Sequence, residues 1–133
     1  MSVVNEVVEA VIGMMNDSTS TDLKNVTRGA LPTGAGIVCE IGPTPVSELY
    51  MDKNTFVPLD LTINGKHKNL KTLSDRLNNI HSALTRKRTY PEGEGWQITD
   101  IKTESLPQII GREENNEWLM ASGLTVEFFW RGD

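Results

Sequence analysis

The chain has 133 residues, 38% of them hydrophobic, or about 46% with the 11 glycines added, an ordinary share for a globular domain. A single cysteine, Cys39, excludes an internal disulfide framework and any multi-cysteine zinc site. The formal charge of −5, from 13 bases and 18 acids, taken whole argues against a general nucleic-acid binder.

From the N-terminus, residues 3–15 place Val3, Val4, Val7, Val8, Val11, Ile12, Met14 and Met15 at three- and four-residue spacing, which predicts a helix with one wide apolar stripe. Glu6 and Glu9 interrupt this apolar stretch and no basic segment precedes it, against a secretory signal. No run reaches the ~18 apolar residues of a membrane span, so a soluble chain in a reducing compartment, without a membrane partner, is expected. Thr21 or Asp22 can start a short helix through Arg28, and Gly29, Pro32, Gly34 and Gly36 then enforce a loop. Ile37–Ile41 reads as a buried strand closed by Gly42-Pro43.

Pro43–Asn54 is a long connection. Val57, Leu59, Leu61 and Ile63 then alternate without a miss, the clearest strand in the chain. Pro58 inside it lacks a donor, so its nitrogen must face an edge or a bulge. Asn64-Gly65 reads as the turn that ends the strand. Leu70, Leu73, Leu77, Ile80 and Leu84 predict a second amphipathic helix over about 69–86, capped by Asn69. Trp96, Ile98 and Ile101 suggest a strand with a slip in its alternation, a sign of a bulge. Pro107–Asn116 reads as a polar loop, and Leu124, Val126, Phe128 and Trp130 form a last strand that can begin as early as Trp118. The order helix, strand, strand, helix, strand, strand predicts one α+β domain over 1–133, a four-stranded mostly antiparallel or mixed sheet flanked by two main helices.

No catalytic constellation emerges. His67 and His81 have no carboxylate or cysteine at ligand spacing and read as surface histidines. Cys39, mid-strand among apolar residues, reads as a buried inert thiol. Gly34-Ala35-Gly36 precedes a strand rather than a helix, the wrong context for cradling phosphate. Glu113, Glu114 and Glu117 read as a solvated polar turn. No enzyme, cofactor or metal is expected.

The distribution of charge says more than its sum. Residues 66–88 hold seven bases (Lys66, Lys68, Lys71, Arg76, Arg86, Lys87 and Arg88) against Asp75, a balance of +6, which leaves −11 on the rest. Part of this serves the helix C-terminal dipole. The surplus suits self-association, a basic face of one subunit meeting an acidic face of the next. It also suits a small nucleic-acid-binding domain, although no aromatics interleave the basic run. Phe128 and Phe129 are adjacent on a strand and must point to opposite faces, so if Phe128 enters the core, Phe129 is exposed or covered by a second helix or a neighbouring subunit.

Taken together, the N-terminal amphipathic helix, the Pro/Gly loop before Ile37–Ile41, the alternating strand, the leucine-rich helix and the segment Pro107-Gln108-Ile109-Ile110-Gly111-Arg112-Glu113-Glu114 leading into Leu124–Trp130 resemble a family. It is that of the tail-terminator or minor capsid proteins of long-tailed bacteriophages. The resemblance implies a virion protein, present in the host cytoplasm during assembly. It implies a ring, typically of six copies, that caps the tail tube between the major tail protein and the head-tail connector protein. DNA would pass through the lumen without specific binding, past acids that repel phosphate. Under this reading Arg76, Arg86, Lys87, Arg88 and Phe129 are the candidate subunit interface. Glu40, Glu48, Asp52, Glu113, Glu114 and Glu117 are the candidate lumen or partner-facing acids. A head-completion or neck protein of similar size is the alternative within virion structure.

Overall fold

The computed structural model describes residues 3–18, 26–29, 31, 35–42, 55–87 and 89–130. Helix α1 runs Val3–Ser18, followed by β1 (Gly36–Ile41), β2 (Thr55–His67), α2 (Leu70–Thr85), β3 (Glu92–Gly93), β4 (Trp96–Arg112) and β5 (Trp118–Trp130). The sheet order is β1-β2-β5-β4-β3, with every neighbouring pair antiparallel. There are thus five strands where four were expected. The additional one is the two-residue β3, whose Glu92 and Gly93 pair with Gln97 and Trp96.

Val7, Val8, Val11 and Met15 of α1 are fully buried, the stripe that the spacing predicted. Because β-branched valines form helix only modestly well, α1 depends on that packing. Its last turn also ties down the following chain: Val26 N donates to Asn16 Oδ1 at 2.7 Å and Asn16 Nδ2 donates back to Val26 O at 3.3 Å. Thr27 then bridges Val38 of β1 in parallel, and residues 26–28 are not helical. The rest of that expected short helix lies outside the described residues, as do the 43–54 connection and the C-terminal residues 131–133.

Strand β2 does not turn at Asn64-Gly65. It continues to His67, because β5 offers partners along its whole length, from Thr55 opposite Trp130 to His67 opposite Trp118. Gly65 has a packing role there: a Cβ on it would stand 2.6 Å from Leu73 Cδ1 of α2. Pro58 satisfies its constraint. Asp60 O accepts from Gly42 N on the β1 side, and Pro58, two residues earlier, faces the same side beyond the last β1–β2 pair, Ile41 with Leu61.

The reversal into α2 is made by His67 and Asn69. His67 Nδ1 accepts from Asn69 N at 2.8 Å, and Asn69 Oδ1 accepts from Thr72 N at 3.0 Å as the helix cap. Asn69→Ala is expected to cost about 1 kcal/mol of folding stability, read by urea denaturation. An unchanged midpoint would mean that the cap contributes nothing.

Strand β4 carries 17 residues and β5 only 13. The difference is absorbed by four register breaks, at Ile98/Asp100, Thr103/Ser105, Ser105/Gln108 and Ile109/Gly111, each inserting one residue into β4. The first is the slip legible in the sequence. The others conceal the second half of the strand, so the supposed loop from Pro107 is strand as far as Arg112. The true reversal is Glu113–Glu117, closed by Glu113 N to Glu117 O at 2.8 Å, with Asn116 at φ 68°. Beyond the short β3, the bulges, Lys102 and Pro107 make β4 a poor template for a further strand.

Leu59, Leu61 and Ile63 of β2, Leu124, Val126 and Phe128 of β5, and Ile98 and Ile101 of β4 meet Leu73, Leu77, Ile80 and Leu84 of α2 in one core that also takes in the α1 stripe. The opposite face of the sheet carries the alternate residues, polar around Asp60 and Thr125 and apolar at Phe56 and Phe129.

Candidate functional site

Alternation sends Asp60 of β2 and Thr125 and Glu127 of β5 to the face away from α2. The bulges of β4 bring Asp100, Lys102 and Glu104 to the same face, where Asp100 is in register with Glu127 and Lys102 with Thr125. Four acids therefore share this outer face with Lys102, which itself pairs with Asp100 at 3.7 Å. At the centre, Thr125 Oγ1 lies 2.9 Å from Asp60 Oδ1 and 2.9 Å from Glu104 Oε2. One hydroxyl has one proton, so it serves one carboxylate at a time.

Beside this pair runs a groove of about 270 Å³ bordered by Asp60, Thr62, Glu104, Gln108 and Ile110 and floored by Ala121 and Gly123. The floor is low because β5 has small residues there. A Cβ on Gly123 would stand 3.0 Å from Ser105 Oγ. Ile110 is 60% exposed; Leu106 and Ile109 on the same strand are also exposed, but Ile109, in register with the buried Met120, lies on the α2 side of the sheet. At the other end of the same face, Phe129 is half-buried and packs on the 59%-exposed Phe56, ring centroids 5.0 Å apart. Phe128, its neighbour, is wholly inside.

The basic surface lies in the helix layer. The buried side of α2 faces the sheet, which leaves Lys71, Asp75, Asn78 and Asn79 outward. Lys71 and Asp75 form an exposed ion pair at 3.3 Å, of small energetic weight. Arg76 is half-exposed on the same helix. Arg86, which caps the helix, and Lys87 are exposed and have no ion-pair partner among the described residues. Arg88 lies outside the described residues. On α1 the outward residues include Glu9 and Asp17, so in the helix layer the exposed bases among the described residues lie on α2 and its flanks.

The acids singled out from sequence have diverse fates. Glu40 Oε1 accepts from Arg28 Nη2 at 2.6 Å and from Ile41 N at 3.0 Å. The Arg28 hydrogen bond holds its carboxyl below the usual carboxylate range. Glu113 is paired with the nearly buried Lys66 at 3.1 Å, and Glu114 is exposed. Glu117, expected in a solvated turn, is only 3% exposed: Asn115 Nδ2 donates to its Oε1 at 2.6 Å. Arg112 stacks over Trp118 at 4.6 Å beside this turn. Glu48 and Asp52 lie outside the described residues. Sequence reasoning missed the outer-face acids Asp60, Glu104 and Glu127. Asp60 and Glu127 were readable as outward positions of two alternating strands, whereas Glu104 was hidden by the bulges around it.

Cys39 is buried, and burial pushes its thiol up to about 12. His81 corrects the expectation of a surface histidine. It is 4% exposed between α2 and the sheet, with Nδ1 2.9 Å from Thr103 Oγ1 and Nε2 2.8 Å from Ser122 Oγ.

No protein-family model and no curated protein matches the sequence. Among solved structures, the chain is similar to a chain of the "Virion of native gene transfer agent (GTA) particle", with a TM-score of 0.58 and 12% identity, over 92% of this chain and 84% of that one. What the two share at that identity is the fold, along nearly the full length of both.

Proposed function

We propose that this chain is a virion structural protein, a tail terminator that assembles as a ring on the end of the tail tube of a long-tailed phage-like particle and joins it to the head connector. The observation that carries the reading is the fold shared over 92% of the chain with a component of a gene transfer agent virion. The opposed acidic and basic faces support it. A closed ring needs heterologous contacts, in which one patch meets a different patch on the next copy. Its role is assembly rather than catalysis. Its partners are further copies, six in the ring that the sequence resemblance implies, the major tail protein and the connector, with DNA passing through the lumen.

Electron microscopy of particles made without this protein tests the reading. Filled heads separate from tails of irregular length are expected. Heads that fail to retain DNA, beside tails of normal length, would instead assign the neck-protein role, and fully joined particles would overturn both.

A further inference from the structure

The outer-face groove has the form of a receptor for a long basic side chain. Ile110, Ala121 and Gly123 offer an apolar wall and a low floor for an aliphatic stem, and Asp60 and Glu104 hold negative charge at its side. Asp60 and Glu104 both approach Thr125 Oγ1, at 2.9 Å each, so a cation arriving there meets two negative charges held close together. Glu127 extends the negative field along the sheet, while Asp100 is offset by its pair with Lys102. The same molecule presents two bases of the required kind. Arg86 and Lys87 project at the end of a helix fixed by Leu77, Ile80 and Leu84 in the core, and neither has an ion-pair partner among the described residues.

We infer that the groove bordered by Asp60, Glu104 and Ile110 receives the Arg86–Lys87 turn of a second copy of this chain. The groove lies on the outer face of the sheet and the turn follows the helix packed on the inner face, so one copy cannot fill its own groove by this route. The contact is heterologous and leaves each copy with one groove and one turn to offer, the condition for a ring. Opposite charge steers the encounter and sets the register. The inference rests on the ring-forming reading above and assigns its contact.

The test uses two full-length variants. One carries Glu104→Lys and Glu127→Lys, the other Arg86→Glu and Lys87→Glu. All four positions are exposed. Sedimentation velocity of the wild type is expected to show association that weakens as salt rises. Each variant alone is expected to associate about 100-fold more weakly than wild type, because like charges then face each other. Mixed in equal amounts, the two variants should associate again, since each supplies the face that the other lacks. That recovery also requires both to be folded.

Wild-type association by either variant alone would overturn the assignment. So would a mixture that stays monomeric, since the restored charge pairing would then restore nothing. A groove variant that fails beside a turn variant that assembles normally would place a different basic segment in the groove. A wild type monomeric at every concentration reached would overturn the contact while leaving the tail-completion reading to the microscopy above.

Discussion

Phe128→Ala should lower folding stability by about 3–5 kcal/mol, a large part of the 5–15 kcal/mol that holds a typical domain. Phe128 has no exposed surface and lies on β5, with β2 on one side and β4 on the other. Its register partners Val57 and Ile98 are themselves buried, so neither flank can move outward to fill the space. The loss combines transfer of the ring to water with an unrelieved cavity. Phe129→Ala is the internal control. Its ring is half-buried on the opposite face and leans on Phe56, so about 1 kcal/mol is at stake. Guanidinium denaturation of the two variants reads the difference. Equal losses would show that the two phenylalanines have been assigned to the wrong faces.

His81→Ala should cost about 2–4 kcal/mol, more than the volume of the ring alone explains. The imidazole joins the hydroxyl of Thr103 on β4 to that of Ser122 on β5, and Ser122 is itself buried. Removing the ring leaves a cavity and a buried hydroxyl without its partner. The double variant His81→Leu/Ser122→Ala should recover much of the loss, because replacing both partners with apolar groups avoids the orphaned polar atom. If the double variant is no better than the single one, the hydrogen bonds are not the source.

The same histidine gives the fold a pH dependence. Burial lowers its pKa in the folded state below the ordinary 6.5. The folded chain therefore favours the neutral ring and the unfolded chain takes up the proton first. Stability is fully present above the unfolded value, declines as pH falls through 6.5 toward the folded value, and is regained on returning to neutral pH. Both hydroxyl partners can rotate to accept, so the penalty arises from desolvation rather than from a lost hydrogen bond. Melting temperatures taken between about pH 7.5 and 5 should fall for the wild type and much less for the His81→Leu/Ser122→Ala variant. Equal slopes would remove His81 as the cause. Glu40, whose carboxyl is lowered by Arg28, acts in the same direction only when the solution is more acidic still.

Where one physical rule governed a stretch, the sequence was a sufficient guide. The α1 stripe, the Asn69 cap, the α2 leucines and the alternation of Val57 to Ile63 are local patterns, and the structure places them as their periods require. The α+β character follows from those elements and their order. The opposed placement of Phe128 and Phe129 needed nothing beyond the two-residue repeat of a strand.

The rest depends on contacts between distant residues. Asn64-Gly65 has the composition of a turn, but 13 partners along β5 outweigh that preference and Leu73 occupies the space that the glycine leaves. Four bulges break the alternation of β4, so no period marks the strand through Pro107–Arg112 or brings Glu104 beside Asp60. His81 sits in a helical repeat like any polar residue, and only Thr103 and Ser122, 22 and 41 positions further on, make its burial tolerable. The division of charge into +6 and −11 is a property of the chain as written. Its arrangement into an acidic sheet face opposite a basic helix turn arises from folding, because a strand's sides acquire an inside and an outside only when a helix covers one of them.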